Sequence, residues 1–293
     1  MATASLLLAV GAAGCNAASS VLQRKANRDQ SKESFGPRLL WHLFRHPQWL
    51  LGGLAMIVSF VLQAAALNAG TLSAVEPVLV LELPMTFILA AIVFSHPLPR
   101  RDWLCSALMA SGLAMFIAVL DPSGGNANSI PTLVAIAATL STAVGIAALV
   151  VAGHLAHGAT SAALFGIAAG SGFGLTASLI KVSVTRLTKQ GLGSMFTSWE
   201  TYGFALAGIA SVILIQAALH AGTLVAAQPG ITLLDPLVSL LWGTIVLGES
   251  TRTGPILLLA AFGALCIVAG VLLLVRSTTA HYASARTDAP VVG

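Results

Sequence analysis

Carboxylates are rare in this sequence, and three of them stand where water should not reach. Of ten aspartates and glutamates, Asp29, Glu33, Asp102, Asp121, Glu249 and Asp288 fall in polar stretches and Glu200 opens an apolar run. Glu76, Glu82 and Asp235 lie inside apolar runs. An ionisable side chain at the centre of a bilayer costs ~2.5–3.5 kcal/mol on insertion scales, so such groups mark ion pathways, proton relays or substrate contacts. Glu82 precedes Pro84 by two residues, and Asp235 directly precedes Pro236. Proline removes a backbone donor and loosens a helix, freeing carbonyls that can line a cavity. A carboxylate beside such a break is what a cation or proton site requires. The structural alternative is a protonated carboxyl, or one bonded to a neighbouring helix. Glu76-Pro77 and Gln228-Pro229 repeat the pattern one turn inside their runs, as gate or vestibule groups or as side chains that satisfy backbone near a kink. Glu76 lies about 120° around the helix from Glu82, so the two do not share a face. Asn16, Ser19, Ser20, Gln63, Asn68, Gln216 and His220 are further polar groups on apolar runs, for which hydrogen bonding between helices is the simplest role.

The elements that must hold these residues are membrane helices. Hydrophobic residues make up 57% of the 293 positions and charged residues 8%, far below the charge content of a soluble domain. Nine apolar runs are marked, at about 5–22, 48–68, 72–95, 103–120, 131–153, 160–181, 201–220, 223–247 and 255–275, with a tenth span left open. The expected fold is therefore an all-α polytopic membrane protein of about nine spans, one membrane domain over 1–293 with a small polar, disordered tail at 276–293. Residues 5–22 are read as a retained first span rather than a signal peptide, because Arg24 and Lys25 follow the run and no basic residue precedes it. With nine spans, ten Lys and Arg residues share one side and Lys181, Arg186, Lys189 and Arg252 the other. That bias puts the N-terminus outside and the C-terminus in the cytoplasm of a plasma-membrane protein. Lys181 closes the sixth run and snorkels to the interface. Residues 39–47 suit an amphipathic piece on the cytoplasmic surface. At 1.5 Å per residue, Glu82 lies ~15 Å deep and Asp235 ~18 Å deep, entering from opposite sides.

Self-similarity organises these spans. Residues 65–84 (AALNAGTLSAVEPVLVLELP) and 217–236 (AALHAGTLVAAQPGITLLDP) match at eleven of twenty positions without a gap, both prolines included. A weaker echo links Ala18–Gln23 with Thr176–Lys181. Spans 1–4 (half 1, about 5–120) then correspond to spans 6–9 (half 2, about 160–275), with span 5 (about 131–153) as connector. Equivalent helices lie an odd number of spans apart, which predicts an inverted 4+1+4 repeat, the plan of many secondary transporters. Duplication without transport is the alternative. Gly166, Gly170 and Gly174 recur every four residues, predicting close approach of another backbone.

These features resemble the drug/metabolite transporter (EamA-like) superfamily: about nine spans in inverted halves, a first helix ending in Gln23-Arg24-Lys25, and Ala-Gly-Thr-Leu…Pro in each half. A short charged turn, Arg100-Arg101-Asp102 or Gly248-Glu249, then precedes a Gly-rich last helix. The 4+1+4 layout is most similar to the NIPA-type branch, whose named members are associated with magnesium transport. The resemblance implies a permease for a small cation or metabolite, with Mg²⁺ or proton-coupled export of metabolites or drugs both open. If Mg²⁺ is carried, Glu82 and Asp235 are the carboxylates placed to meet it. No His-Glu-x-x-His, Gly-x-Ser-x-Gly or Walker loop occurs, so neither an enzyme nor a cofactor is expected. His154 and His157 share one loop and could form a metal pair. The net charge of +4 is read as topology, not as affinity for nucleic acid. The expected partners are the lipid bilayer and the substrate, with a homodimer possible, and a non-transporting scaffold is the competing class.

Overall fold

A bilayer offers no hydrogen bonds to a bare backbone, so apolar runs of about 20 residues close their bonds internally as helices. The computed structural model describes residues 2–29, 47–94, 100–127, 130–222 and 224–287. Its helices are α1 (Ala2–Asp29), α2 (Pro47–Ala69), α3 (Leu72–Leu79), α4 (Glu82–Val93), α5 (Arg100–Leu120), α6 (Thr132–Leu155), α7 (Gly158–Gln190), α8 (Leu192–Thr197), α9 (Trp199–Ala221), α10 (Leu224–Leu241) and α11 (Leu257–Thr287). A π-helical segment, Trp242–Val246, continues α10. The short strands β1 (Ser123–Gly124) and β2 (Glu249–Ser250) pair antiparallel. Among the described residues eight helical stretches are long and apolar enough to cross a membrane, α3 and α4 counting as one, and a further apolar stretch, Leu257–Leu273, is shorter. The architecture is that of an all-α polytopic membrane protein.

The residues fall into two compact units, Met1–Gly70 with Val78–Leu98, and Thr71–Pro77 with Pro99–Gly293. The repeat halves read from the sequence divide the chain differently. In the first unit α1 packs on α2 and α4. Ser59 on α2 donates to the Ala12 carbonyl at 2.8 Å, the bond an apolar interface asks of a hydroxyl. In the second unit α7 is the central helix, packed by α6, α9 and α10. Ala162 and Phe165 on α7 meet Ala218 on α9 and Ala227 on α10 in a fully buried cluster. Leu133, Val144 and Leu155 of α6 stay exposed, as side chains turned to acyl chains should be.

Several boundaries differ from those expected. Helix α7 runs 33 residues, about 50 Å at 1.5 Å per residue, so Lys181, Arg186 and Lys189 sit on helix rather than in a loop. It stops at Gly191, whose φ of +86° suits glycine and whose N–H bonds to the Leu187 carbonyl. Residues 276–287, expected as a disordered tail, continue α11, because nothing from Ser277 to Thr287 breaks a helix. The amphipathic piece at 39–46 lies outside the described residues, as do Lys32, Arg38 and Arg45.

The expected helix breaks need correction. In the third span Pro77 sits inside α3, and the break comes at Val80–Leu81. Pro84 occupies the first turn of α4, where a missing N–H leaves no bond unmade. The carbonyls there are not left open to line a cavity: Val80 accepts from Leu83 at 3.2 Å and Val78 from Leu81 at 3.0 Å, a tighter winding. In the eighth span Pro229 and Pro236 break nothing, and α10 runs through both. Helix α10 packs closely on α7, and the irregularity appears instead at Trp242–Val246, where Leu247 N–H reaches the Trp242 carbonyl.

Candidate functional site

The first unit contains one polar pair on apolar helices that the sequence singled out from both ends. Asn16 on α1 donates through Nδ2 to Oε2 of Glu82 at 2.7 Å. Glu82 is the first residue of α4, so its carboxyl group lies at the positive end of that helix, directly after the break. Both side chains are half-buried. A half-buried carboxylate held by one neutral amide keeps acceptor capacity for a further donor, whether a proton, a cation or an ammonium group.

Asp235 lies in the second unit, half-buried on α10. Helix α7 receives it through the glycine stripe. A Cβ on Gly170 would stand 2.6 Å from the Ile231 carbonyl oxygen, and one on Gly174 2.6 Å from that of Asp235. A Cβ on Gly166 would collide with Ala227. The close approach expected of Gly166, Gly170 and Gly174 is therefore made, and the helix it admits is the one that carries Asp235. The offset linking Ala18–Gln23 to Thr176–Lys181 carries Asn16 onto Gly174. Gly174 thus meets the main chain of Asp235, whereas Asn16 meets the Glu82 carboxylate itself.

The other candidates separate. Glu76 is buried at 2% exposure in the second unit, whereas Gln228 is half-buried and donates to Thr232 on its own helix at 3.3 Å. A break and a unit boundary lie between Glu76 and Glu82. Gln216, His220, His154 and His157 are exposed, and His154 stacks edge-on against Phe165 at 5.1 Å. Among the described residues no three His, Cys, Asp or Glu side chains converge on one point.

Three carboxylates read as loop or span-end residues, Asp102, Glu200 and Glu249, prove to be buried. Glu249 accepts from the backbone N–H of Leu72 at 2.6 Å and of Ser73 at 3.0 Å, and from the Ser73 hydroxyl at 2.6 Å. It caps the first turn of α3, and Lys181 lies within electrostatic reach. Glu200, fully buried in the first turn of α9, pairs with Arg186 of α7 at 2.6 Å. No local signal marks either partner, since Glu249 and Ser73 stand 176 positions apart. A second, exposed pair joins Arg252 to Asp121 at 2.7 Å beside the strand pair. Near the π segment, Trp242 donates to Thr142 at 3.2 Å along a groove of about 320 Å³ lined by Ser141, Ser171 and Val238.

Eight long apolar helices, with acidic and amide groups set among them, define a polytopic helical membrane protein. The chain is 30% identical over 237 residues, 78% of its length and 79% of the relative's, to an uncharacterized protein of Corynebacterium glutamicum. It belongs to the same family as that protein. No family model matches it, and no solved structure does.

Proposed function

We propose that the chain is a secondary transporter or permease of the drug/metabolite transporter type, with nine spans in an inverted 4+1+4 repeat. It moves a small cation or metabolite across the plasma membrane by alternating access. The observation that carries this reading is the Asn16–Glu82 bond at the break between α3 and α4. A carboxylate kept among apolar helices, and held by an amide instead of a basic partner, is poised to exchange that hydrogen bond for a substrate.

Two contacts in the second unit support inversion. Glu249, just past the π segment, binds the start of α3, so one of these repeat-related spans arrives at the face from which the other departs. Helices α5 and α11, last in their halves, cross antiparallel. A Cβ on Gly112 would lie 2.7 Å from the Gly263 carbonyl oxygen, and one on Gly263 2.7 Å from that of Gly112. Reciprocal contact of this kind is what a two-fold axis in the membrane plane produces.

Mg²⁺ keeps most of its water shell, so a hydrated ion needs few protein ligands, and a carboxylate such as Glu82 or Asp235 can meet it in either unit. Proton-coupled transport of a metabolite or lipophilic cation requires even less, one carboxylate that gains and loses a proton. The test is flux in proteoliposomes with Mg²⁺ or a pH gradient supplied in turn. Glu82→Gln and Asp235→Asn should each cut the rate to about a tenth or less of the parent's. Unchanged flux in both would refute the site.

A further inference from the structure

We propose that Glu249 is a releasable latch that holds the first two turns of α3 shut at the face where that helix starts. The proposal rests on the transporter reading and supplies one of its gates. Three bonds converge on the carboxylate, two from backbone amides and one from the Ser73 hydroxyl. All depend on negative charge facing a helix N-terminus, so loss of that charge weakens them together. The seat is built for the closed arrangement. A Cβ on Gly243 would collide with the Glu249 carboxylate and the Ser73 hydroxyl, and one on Gly125 would stand 2.6 Å from Glu249 Cγ. The backbone behind it is fastened by the β1–β2 pairing, by Asn126 N–H to the Leu247 carbonyl at 2.8 Å, and by Arg252 N–H to the Leu120 carbonyl at 2.9 Å.

The turns that the latch holds meet the remainder of their span at a break in the helix. The compact units divide between Pro77 and Val78, so the first turns of this span belong with Glu249 and the rest of the span does not. Pro77 has no N–H to offer the preceding turn, and the helix breaks at Val80–Leu81. A static staple has no use for a hinge one turn away, whereas a gate needs both a fastening and a hinge. When the latch lets go, Ser73 and Val75, both fully buried here, become reachable from the aqueous side.

The test uses the full-length chain in nanodiscs, with Cys15, Cys105 and Cys266 replaced by alanine and Val75→Cys as reporter, labelled by a water-soluble maleimide. Glu249→Gln should raise the labelling rate at position 75 by about tenfold, because labelling follows the population of the opened state. The melting temperature should stay near the parent's. A chain keeping Cys105 as its only cysteine, buried on α5, is the control and should label no faster. An unchanged rate at position 75, or an equal rise at Cys105, overturns the latch. If Glu249→Gln does not fold, Ser73→Ala removes one bond of the three and should raise the rate about threefold, with no rise overturning the proposal. Labelling needs no substrate, so the latch can fail while Glu82→Gln still abolishes flux, and the reverse.

Discussion

Acidic side chains among these helices differ in what holds them. Glu200 is held by Arg186, Glu249 by a helix N-terminus, and Glu82 by a single neutral amide. A buried pair broken on one side leaves a charge without compensation, which costs about 3–5 kcal/mol. Arg186 is 30% exposed, which puts the loss at the low end of that range. Glu200→Ala should therefore lower the stability of the detergent-solubilised protein by about 3 kcal/mol, read as a loss of melting temperature. Arg252→Ala breaks a pair exposed at both ends and should cost under about 1 kcal/mol. Equal losses in the two variants would contradict this division. Asn16→Ala deletes a single hydrogen bond between helices, worth about 0.6 kcal/mol in membranes, so it should leave folding nearly intact. Its effect belongs to flux, which should fall several-fold if the amide orients Glu82.

Between helices, glycine decides how close two backbones come. Gly170 faces the Ile231 carbonyl with no room for a Cβ, while Gly145 on α6 meets nothing within 4 Å. Gly170→Ala must push α7 and α10 apart and should cost about 1–3 kcal/mol of stability. Gly145→Ala fills open space on a helix and should stabilise by up to about 1 kcal/mol. Thermal melting of the two variants side by side checks the assignment, and a stabilised Gly170→Ala would show that the stripe does not bring the helices together. The prolines carry a related lesson. Pro229 and Pro236 look from sequence like equivalents of Pro77 and Pro84, yet α10 stays continuous where the third span breaks. Proline lowers the cost of a break, and packing chooses whether one occurs.

For the molecule as a whole, direction through the membrane is the property on which the proposed transport depends. Successive contacts of Gly166, Gly170 and Gly174 with Ala227, Ile231 and Asp235 make α7 and α10 run parallel, so their C-terminal ends face one side. Single cysteines at Gly193 and Ser250 should therefore react with an impermeant thiol reagent from the same side of intact cells. A cysteine at Ala156, between α6 and α7, should react only from the other. The Lys and Arg bias predicts that the shared side is the exterior. Labelling of positions 193 and 250 from opposite sides would remove the inverted plan.

The sequence alone determined that this chain is helical and apolar enough to span a membrane, where nearly every helix lies, that a twenty-residue segment recurs 152 positions later, and that Glu82, Asn16 and Asp235 stand inside apolar helices. Those properties are written locally, in hydropathy along about 20 residues or in identity at a constant offset, and local patterns survive without a fold. Tertiary structure alone decided that Asn16 meets Glu82, which helix the glycine stripe admits, and that Glu249 and Glu200 are buried instead of hydrated. A cap 176 residues from the turn it closes leaves no trace in composition or period, because only the packing of α7, α10 and the strand pair brings Glu249 to Ser73. Whether a proline-bearing span breaks was equally unreadable from sequence, since the third span breaks at Val80–Leu81 and its counterpart runs through both prolines.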